Sequence, residues 1–194
     1  MFSIGPTPLV THDSAGLIFR LPNADFTLRA LTPDDRAEQL SHLKRLPPED
    51  RNARFQGGMS DLALERYLDT IRWDRMIAIG IFEGTTLRGV GEMFAEEDGA
   101  TAELAFSVER DFQHLGFGKI LMEALTLIAR QRGLTEVRMI FLRDNNRMGG
   151  LARKAGAVAT QRADLMEGVL PIPTPLRDAK WMPLGREALP RQAA

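Results

Sequence analysis

The sequence predicts an α+β domain: one mixed, mostly antiparallel sheet of roughly six or seven strands with helices on both faces. Three observations predict it. Helical patterns gather between residues 32 and 70, after one early strand signal. Three strand-like runs then follow between Met76 and Val108, joined only by short polar turns. Beyond them helix and strand patterns alternate, which implies a crossover and parallel strands. A chain of 194 residues suits one such domain with tails, and the expected division is an arm over 1–24, a domain over 25–170 and a proline-rich tail over 171–194.

The arm carries three prolines and one candidate strand, Leu17 to Leu21. Phe26 to Ala30 alternates apolar and polar residues, as a half-buried strand does. Thr32-Pro33-Asp34-Asp35 reads as a helix start, with a threonine cap, a first-turn proline and acids at the positive end. That helix should stop at Pro47-Pro48, and Pro48 should open a shorter one. Asp61 is expected to cap a third, over Leu62 to Thr70.

Met76 to Phe82 is a continuous apolar run, the pattern of a strand buried on both faces. Glu83 to Thr86 turns into a strand over Leu87 to Phe94, and Glu96 to Gly99 turns into another over Thr101 to Val108. Ile120, Leu121, Ala124, Leu125, Leu127 and Ile128 recur at intervals of three and four, an amphipathic helix closed by Gly133. A strand over Glu136 to Phe141, a helix over Met148 to Ala155 and a strand over Ala157 to Arg162 complete the order, the two strands forming a parallel pair. In the tail, Trp181 and Leu184 are the expected docking points.

Composition excludes several chemistries. There is no cysteine, so disulfides, thiol nucleophiles and thiolate metal sites are excluded, and a reducing cytoplasm is the expected compartment. Three histidines lie scattered, and no metal site is expected. No apolar run is long enough to cross a membrane, and the first residues lack the pattern of a secretory signal. The net charge is −1, yet residues 110–162 hold ten basic and four acidic side chains. This local excess suits a small anionic ligand better than nucleic acid, although solvated surface charges account for it equally simply.

Gln113-His114-Leu115-Gly116-Phe117-Gly118-Lys119 stands between a strand and the amphipathic helix. Glycines permit close backbone approach, and a helix N-terminus offers unpaired N–H groups and a positive dipole end to a pyrophosphate. No Gly-Lys-Ser/Thr follows, and no βαβ unit precedes it. Neither a phosphate-binding P-loop nor a dinucleotide fingerprint is therefore present.

Three blocks in order, Ala102 to Val108, then Phe112-Gln113-x-x-Gly116-x-Gly118, then Asn145-x-x-Met148-x-x-Leu151-x-x-Lys154-x-Gly156, resemble the GNAT acetyltransferase superfamily. Within it, Phe26 to Asp35 followed by Leu46 to Phe55 is similar to the domain of bacterial protein-lysine acetyltransferases. The resemblance implies a GNAT-like fold and transfer of an acetyl group from acetyl-CoA to a primary amine, on a protein lysine or a small molecule. A non-catalytic acyl-CoA-binding or sensor module is the alternative. It implies cofactor contacts at Phe106, Ser107, Val108, Gln113, His114, Leu115, Gly116, Phe117, Gly118, Lys119, Asn145 and Lys154, with Arg153 near the phosphates. Asn145 reads equally well as a helix cap. Glu103 is the implied base, with Glu92 in reserve, since an ammonium must lose a proton before it attacks. The sequence departs from the family pattern at His114, where a glycine is usual, and at Ala152, where many relatives carry a tyrosine acid. Arg51, Arg54, Phe55, Tyr67 and Trp73 are expected near the acceptor, the arginines favouring carboxylate or phosphate groups on it. No nucleic-acid or membrane partner is expected, and a homodimer is left open.

Overall fold

The computed structural model describes residues 10–13, 16–21 and 24–173, with side chains from residue 24 onward. Nine strands form one sheet. In chain order they are β1 (Val10–Asp13), β2 (Gly16–Leu21), β3 (Ala24–Ala30), β4 (Met76–Glu83), β5 (Thr86–Ala95), β6 (Thr101–Val108), β7 (Glu136–Leu142), β8 (Val158–Arg162) and β9 (Leu165–Pro171). Their spatial order is β1-β2-β3-β4-β5-β6-β7-β9-β8. Every neighbouring pair is antiparallel except β6 and β7. The α+β class and the antiparallel meander β4–β5–β6 are as the sequence predicts. β1 and β9, neither of them expected from the sequence, carry the sheet from seven strands to nine.

The helices are α1 (Arg36–Arg45), α2 (Pro48–Phe55), α3 (Asp61–Asp69), α4 (Phe117–Gln131) and α5 (Asn146–Ala155). Thr32 and Asp35 form a capping box over the short 3-10 turn that leads into α1. Ser60, rather than Asp61, caps α3 by accepting from the Ala63 N–H at 3.2 Å. Asp61 occupies the first helical position instead. Trp181 and Leu184 lie outside the described residues.

α4 is the crossover between the parallel strands β6 and β7. It buries Phe117, Leu121, Met122, Leu125 and Ala129 against β4 to β7, at about 1.5–3 kcal/mol for each large side chain. Leu127 lies outside this stripe and is exposed. The helix ends where Gly133 takes φ 75, letting the Leu134 N–H reach the Ala129 carbonyl at 3.0 Å. α5 packs beside α4, and α1, α2 and α3 cover the opposite face of the sheet.

The expected neighbouring pair of strands 136–141 and 157–162 is corrected. β7 and β8 do run parallel, but β9 lies between them and pairs antiparallel with both. The two-residue turn that sends β8 back into β9 has Ala163 at φ 52. Asn-Gly or Asp-Gly is the usual signature of such a turn, and Ala163-Asp164 carries none, so β9 has no local announcement.

Candidate functional site

The site is built on the diverging strands β6 and β7. Glu96 N–H donates to the Thr101 carbonyl and Glu109 N–H to the Arg88 carbonyl, both at 3.0 Å. The antiparallel alternation therefore aims the odd-numbered backbone groups of β6 at β5 and the even-numbered ones at β7. β7 meets them at only three positions, Thr101↔Glu136, Ala102↔Val137 and Glu103↔Arg138. Beyond Glu103 the strands part, and Leu104, Phe106 and Val108 present their backbone to a gap. On β7 the Ile172 N–H bond to the Thr135 carbonyl sets the same alternation, so Ile140 faces the gap from the other side. Two side-chain amides enter it. Gln113 Nε2 donates to the Val108 carbonyl at 3.0 Å, and Gln56 Nε2 donates to the Ile140 carbonyl at 3.1 Å.

The loop before α4 lies at the head of this gap. His114, Leu115 and Gly116 are exposed, and no side chain caps the helix. With no side-chain cap among the described residues, the positive dipole end of α4 opens on this loop, a setting that suits an anion. Gly116 is in the left-handed region at φ 91, and His114 joins it at φ 66. The usual glycine at position 114 thus has a conformational reason, and histidine is among the residues that tolerate that region. Gly118 faces α5, where a Cβ would stand in ordinary contact, 3.4 Å from Leu151 Cδ2. Phe117 has its side chain in the core, edge-on to Phe26 at 5.0 Å and stacked with Phe112 at 5.7 Å, so only its backbone faces a ligand. Lys119 is exposed and pairs with Glu123 at 3.4 Å. Arg143, Arg153 and Lys154 are exposed, and among the described residues they make no ion pair.

Other candidates are redistributed. Ser107 points away from the gap: its hydroxyl lies 2.9 Å from His42 Nε2, beneath α1. Asn145 caps α5, accepting from the Met148 N–H at 3.0 Å. Ala152 is fully buried, and a Cβ on Gly168 would stand 3.5 Å from its own. A tyrosine at this fully buried position would have to displace its neighbours.

On the α1–α3 face of the sheet two glutamates stand one strand apart in contrasting surroundings. Glu92 of β5 is buried and fully engaged: Arg54 forms a short ion pair with it, Tyr67 Oη donates at 3.1 Å and Gln39 Nε2 at 3.3 Å. Burial first, then the Glu92 charge, pushes the Tyr67 phenol well above its ordinary pKa, so it stays a donor. Glu103 of β6 is half-buried, and its carboxylate has no hydrogen-bond or ion-pair partner among the described residues. Burial raises its pKa, the Arg54 charge opposes this, and Glu96 adds to it. Its register partners Phe94 and Arg138 line a depression of about 620 Å³ with Glu96, Asp98 and Thr101.

The arginines expected to greet an anionic acceptor are already spent. Arg51 binds Asp61 and the carbonyls of Lys44 and Leu46, and Arg54 serves Glu92. Trp73 belongs to a separate depression beside the C-terminal part of α4, with Ala30, Ile128 and Arg132. Sequence reasoning passed over Asp50, Gln56 and Arg147. Asp50 accepts from Gln113 Nε2 and from Arg147, each at 3.0 Å, and Arg147 also donates to the Gln113 side-chain oxygen, Oε1. These contacts join α2, the glycine loop and α5 across nearly one hundred positions of chain. Only the helix-start pattern at Pro48-Glu49-Asp50 was visible locally.

The model of the acetyltransferase (GNAT) family matches residues 40–157, more than half of the chain. An acetyltransferase of Pseudomonas aeruginosa is 28% identical over 144 residues, spanning 71% of this chain and 77% of its own. Among solved structures, the GNAT domain of S. lividans PAT superposes with a TM-score of 0.68 at 20% identity, over 76% of this chain and 91% of that one. Spermidine N-acetyltransferase from Vibrio cholerae, solved with CoA and spermine, gives 0.62 at 16% identity, over 76% and 95%. The ribosomal-protein-S18-alanine N-acetyltransferase of Escherichia coli also gives 0.62 at 16%, over 79% and 97%. At these identities the superpositions speak for the fold alone. The family model speaks for descent, and by it this chain belongs to the GNAT acetyltransferases, enzymes that use acetyl-CoA.

Proposed function

We propose that this chain transfers the acetyl group of acetyl-CoA to a primary amine held on the α1–α3 face of the sheet, with Glu103 receiving the amine proton. The observation that carries this is the state of Glu103: a half-buried carboxylate, unengaged among the described residues, at the last paired rung of β6 and β7. Acetyl-CoA supplies an acetyl thioester. The gap backbone of Phe106 and Val108 suits the arm of such a molecule, and the open N-terminus of α4 behind Gly116 suits its pyrophosphate.

Glu103 accepts a proton from the acceptor ammonium, directly or through one water. The freed nitrogen lone pair then forms the bond to the acetyl carbon as the carbon–sulfur bond breaks. A carboxylate with a raised pKa is the better match for that proton. Holding amine and thioester together supplies much of the remaining acceleration. The departing sulfur takes its proton from water or from the attacking nitrogen, which is cationic in the tetrahedral adduct, because Ala152 provides none and Tyr67 is bound to Glu92. The acceptor is a lysine side chain or a small-molecule amine. The resemblance to the protein-lysine acetylating branch and the S. lividans domain favours the former.

A thiol-release assay over lysine peptides and small amines tests this, run with wild type and Glu103→Gln across pH. Loss of the proton acceptor should lower kcat by roughly 10² to 10⁴. In the wild type, activity should rise with pH through a carboxylate pKa above 4.5, and that limb should vanish in the variant. Equal turnover with identical pH profiles would remove Glu103 from the mechanism. A module that binds CoA without turnover would release no thiol with any amine.

A further inference from the structure

Two of the carbonyls that face the gap, Val108 on β6 and Ile140 on β7, are not left bare. An inward-facing backbone carbonyl needs a donor, and in a continuous sheet the neighbouring strand supplies it. Here the strands have parted, and each carbonyl is taken by a glutamine amide, Gln113 at 3.0 Å and Gln56 at 3.1 Å. A side-chain amide N–H is the nearest chemical equivalent of a peptide N–H. It is also the equivalent of the secondary amides along the arm of coenzyme A.

We propose that Gln56 and Gln113 hold these carbonyls in the free protein as stand-ins, and that Gln56 gives way to an amide of the cofactor arm when the cofactor enters. This inference rests on the acetyl-CoA reading of the gap and adds a competing contact to it. Three features make Gln56 the displaceable partner. It is exposed, so its amide is readily hydrated once released. It ends α2 at φ 56, ψ 27, in the left-handed region that costs a residue bearing a Cβ. Gly57 and Gly58 follow, with nothing within 4 Å of where their Cβ atoms would stand, so the segment can shift without collision. Gln113 is the anchored partner, bound also to Asp50 and Arg147.

Calorimetric titration of the full chain with CoA, without any acceptor amine, tests the idea in wild type, Gln56→Asn and Gln56→Gly. Asparagine keeps an amide and tolerates the left-handed region but is one methylene too short to reach Ile140. Glycine removes the amide outright. Both should bind CoA more tightly than wild type, by roughly three- to ten-fold, the equivalent of one hydrogen bond no longer displaced. Unchanged or weaker binding by both variants, with wild type binding normally, would overturn this inference alone, and weaker binding would make Gln56 a direct contact. No CoA binding by the wild type would overturn the acetyl-CoA reading together with it.

Discussion

The two faces of β6 follow opposite principles. On the α4 side, Ala102, Leu104, Phe106 and Val108 join one hydrocarbon cluster with Leu121, Leu125, Val137 and Met139. On the α1–α3 side, Glu103, Ser107 and Glu109 stand beside Glu92 of β5, and polar groups hold the helices down. Stability on the first face comes from burial, which is non-directional and tolerant of detail. On the second it depends on each buried polar group having its partner, because an orphaned one costs more than a made bond returns. Ser107, Glu109 and Glu92 have such partners. Among the described residues Glu103 and the buried Gln39 Oε1 lack one on that face, and of the two only the Glu103 carboxylate can take up a proton, so reactivity is expected there.

The contrast breaks most sharply at the two glutamates. Glu103→Gln should cost roughly 10² to 10⁴ in kcat while the thermal midpoint stays near that of wild type, because among the described residues the carboxylate has no hydrogen-bond or ion-pair partner. Glu92→Gln should do the reverse. It leaves the Arg54 charge buried beside a neutral amide, for about 3–5 kcal/mol of lost stability, read from urea unfolding, with turnover per folded molecule largely retained. If Glu92→Gln silenced the enzyme at full stability, the two roles would be exchanged.

On the apolar face, Leu121→Ala removes a fully buried side chain of α4. It should cost about 2–5 kcal/mol in unfolding experiments, with no change in the pH dependence of what remains.

Acid separates the faces by a third route. Burial would raise the Glu109 carboxyl, but His42, Arg45 and Arg88 outweigh it and bring its pKa from 4.5 down to about 2. The folded chain therefore binds this proton less tightly than the unfolded one, so the stabilisation is complete above pH 4.5 and lost as pH falls toward 2. Urea midpoints measured across that window should fall steeply in wild type and less steeply in Glu109→Gln. The smallest expected effect is at His114, whose left-handed backbone glycine adopts without cost. His114→Gly should add about 0.5–1 kcal/mol of stability, and a loss instead would show that the imidazole holds the loop.

Many of these features are legible in the chain's residues alone. Met76 to Phe82 announces a strand buried on both faces by its unbroken apolar run, and Leu121 and Leu125 announce the buried stripe of α4 by their spacing. Gly116 marks the turn into that helix, and Glu103 is singled out by its place in a family pattern. Those signals are local, or are carried by motifs short enough to survive divergence. Other features have no local sign. Nothing in Arg162-Ala163-Asp164-Leu165 foretells that β9 folds back to separate β7 from β8. Gln56 gives no local sign of its contact with Ile140, and Arg51 and Arg54 look available to an anion until Asp61 and Glu92 claim them.

The sequence by itself determined most of the elements, their order and the family, because periodicity, caps and glycine turns act within a few residues. Only the tertiary structure decided where β6 and β7 part, and which charged groups are spent and which remain free. Those outcomes depend on partners such as Arg54 and Glu92, thirty-eight positions apart, and Asp50 and Arg147, ninety-seven apart. Residues that far apart in the chain meet only when the sheet and its covering helices are assembled.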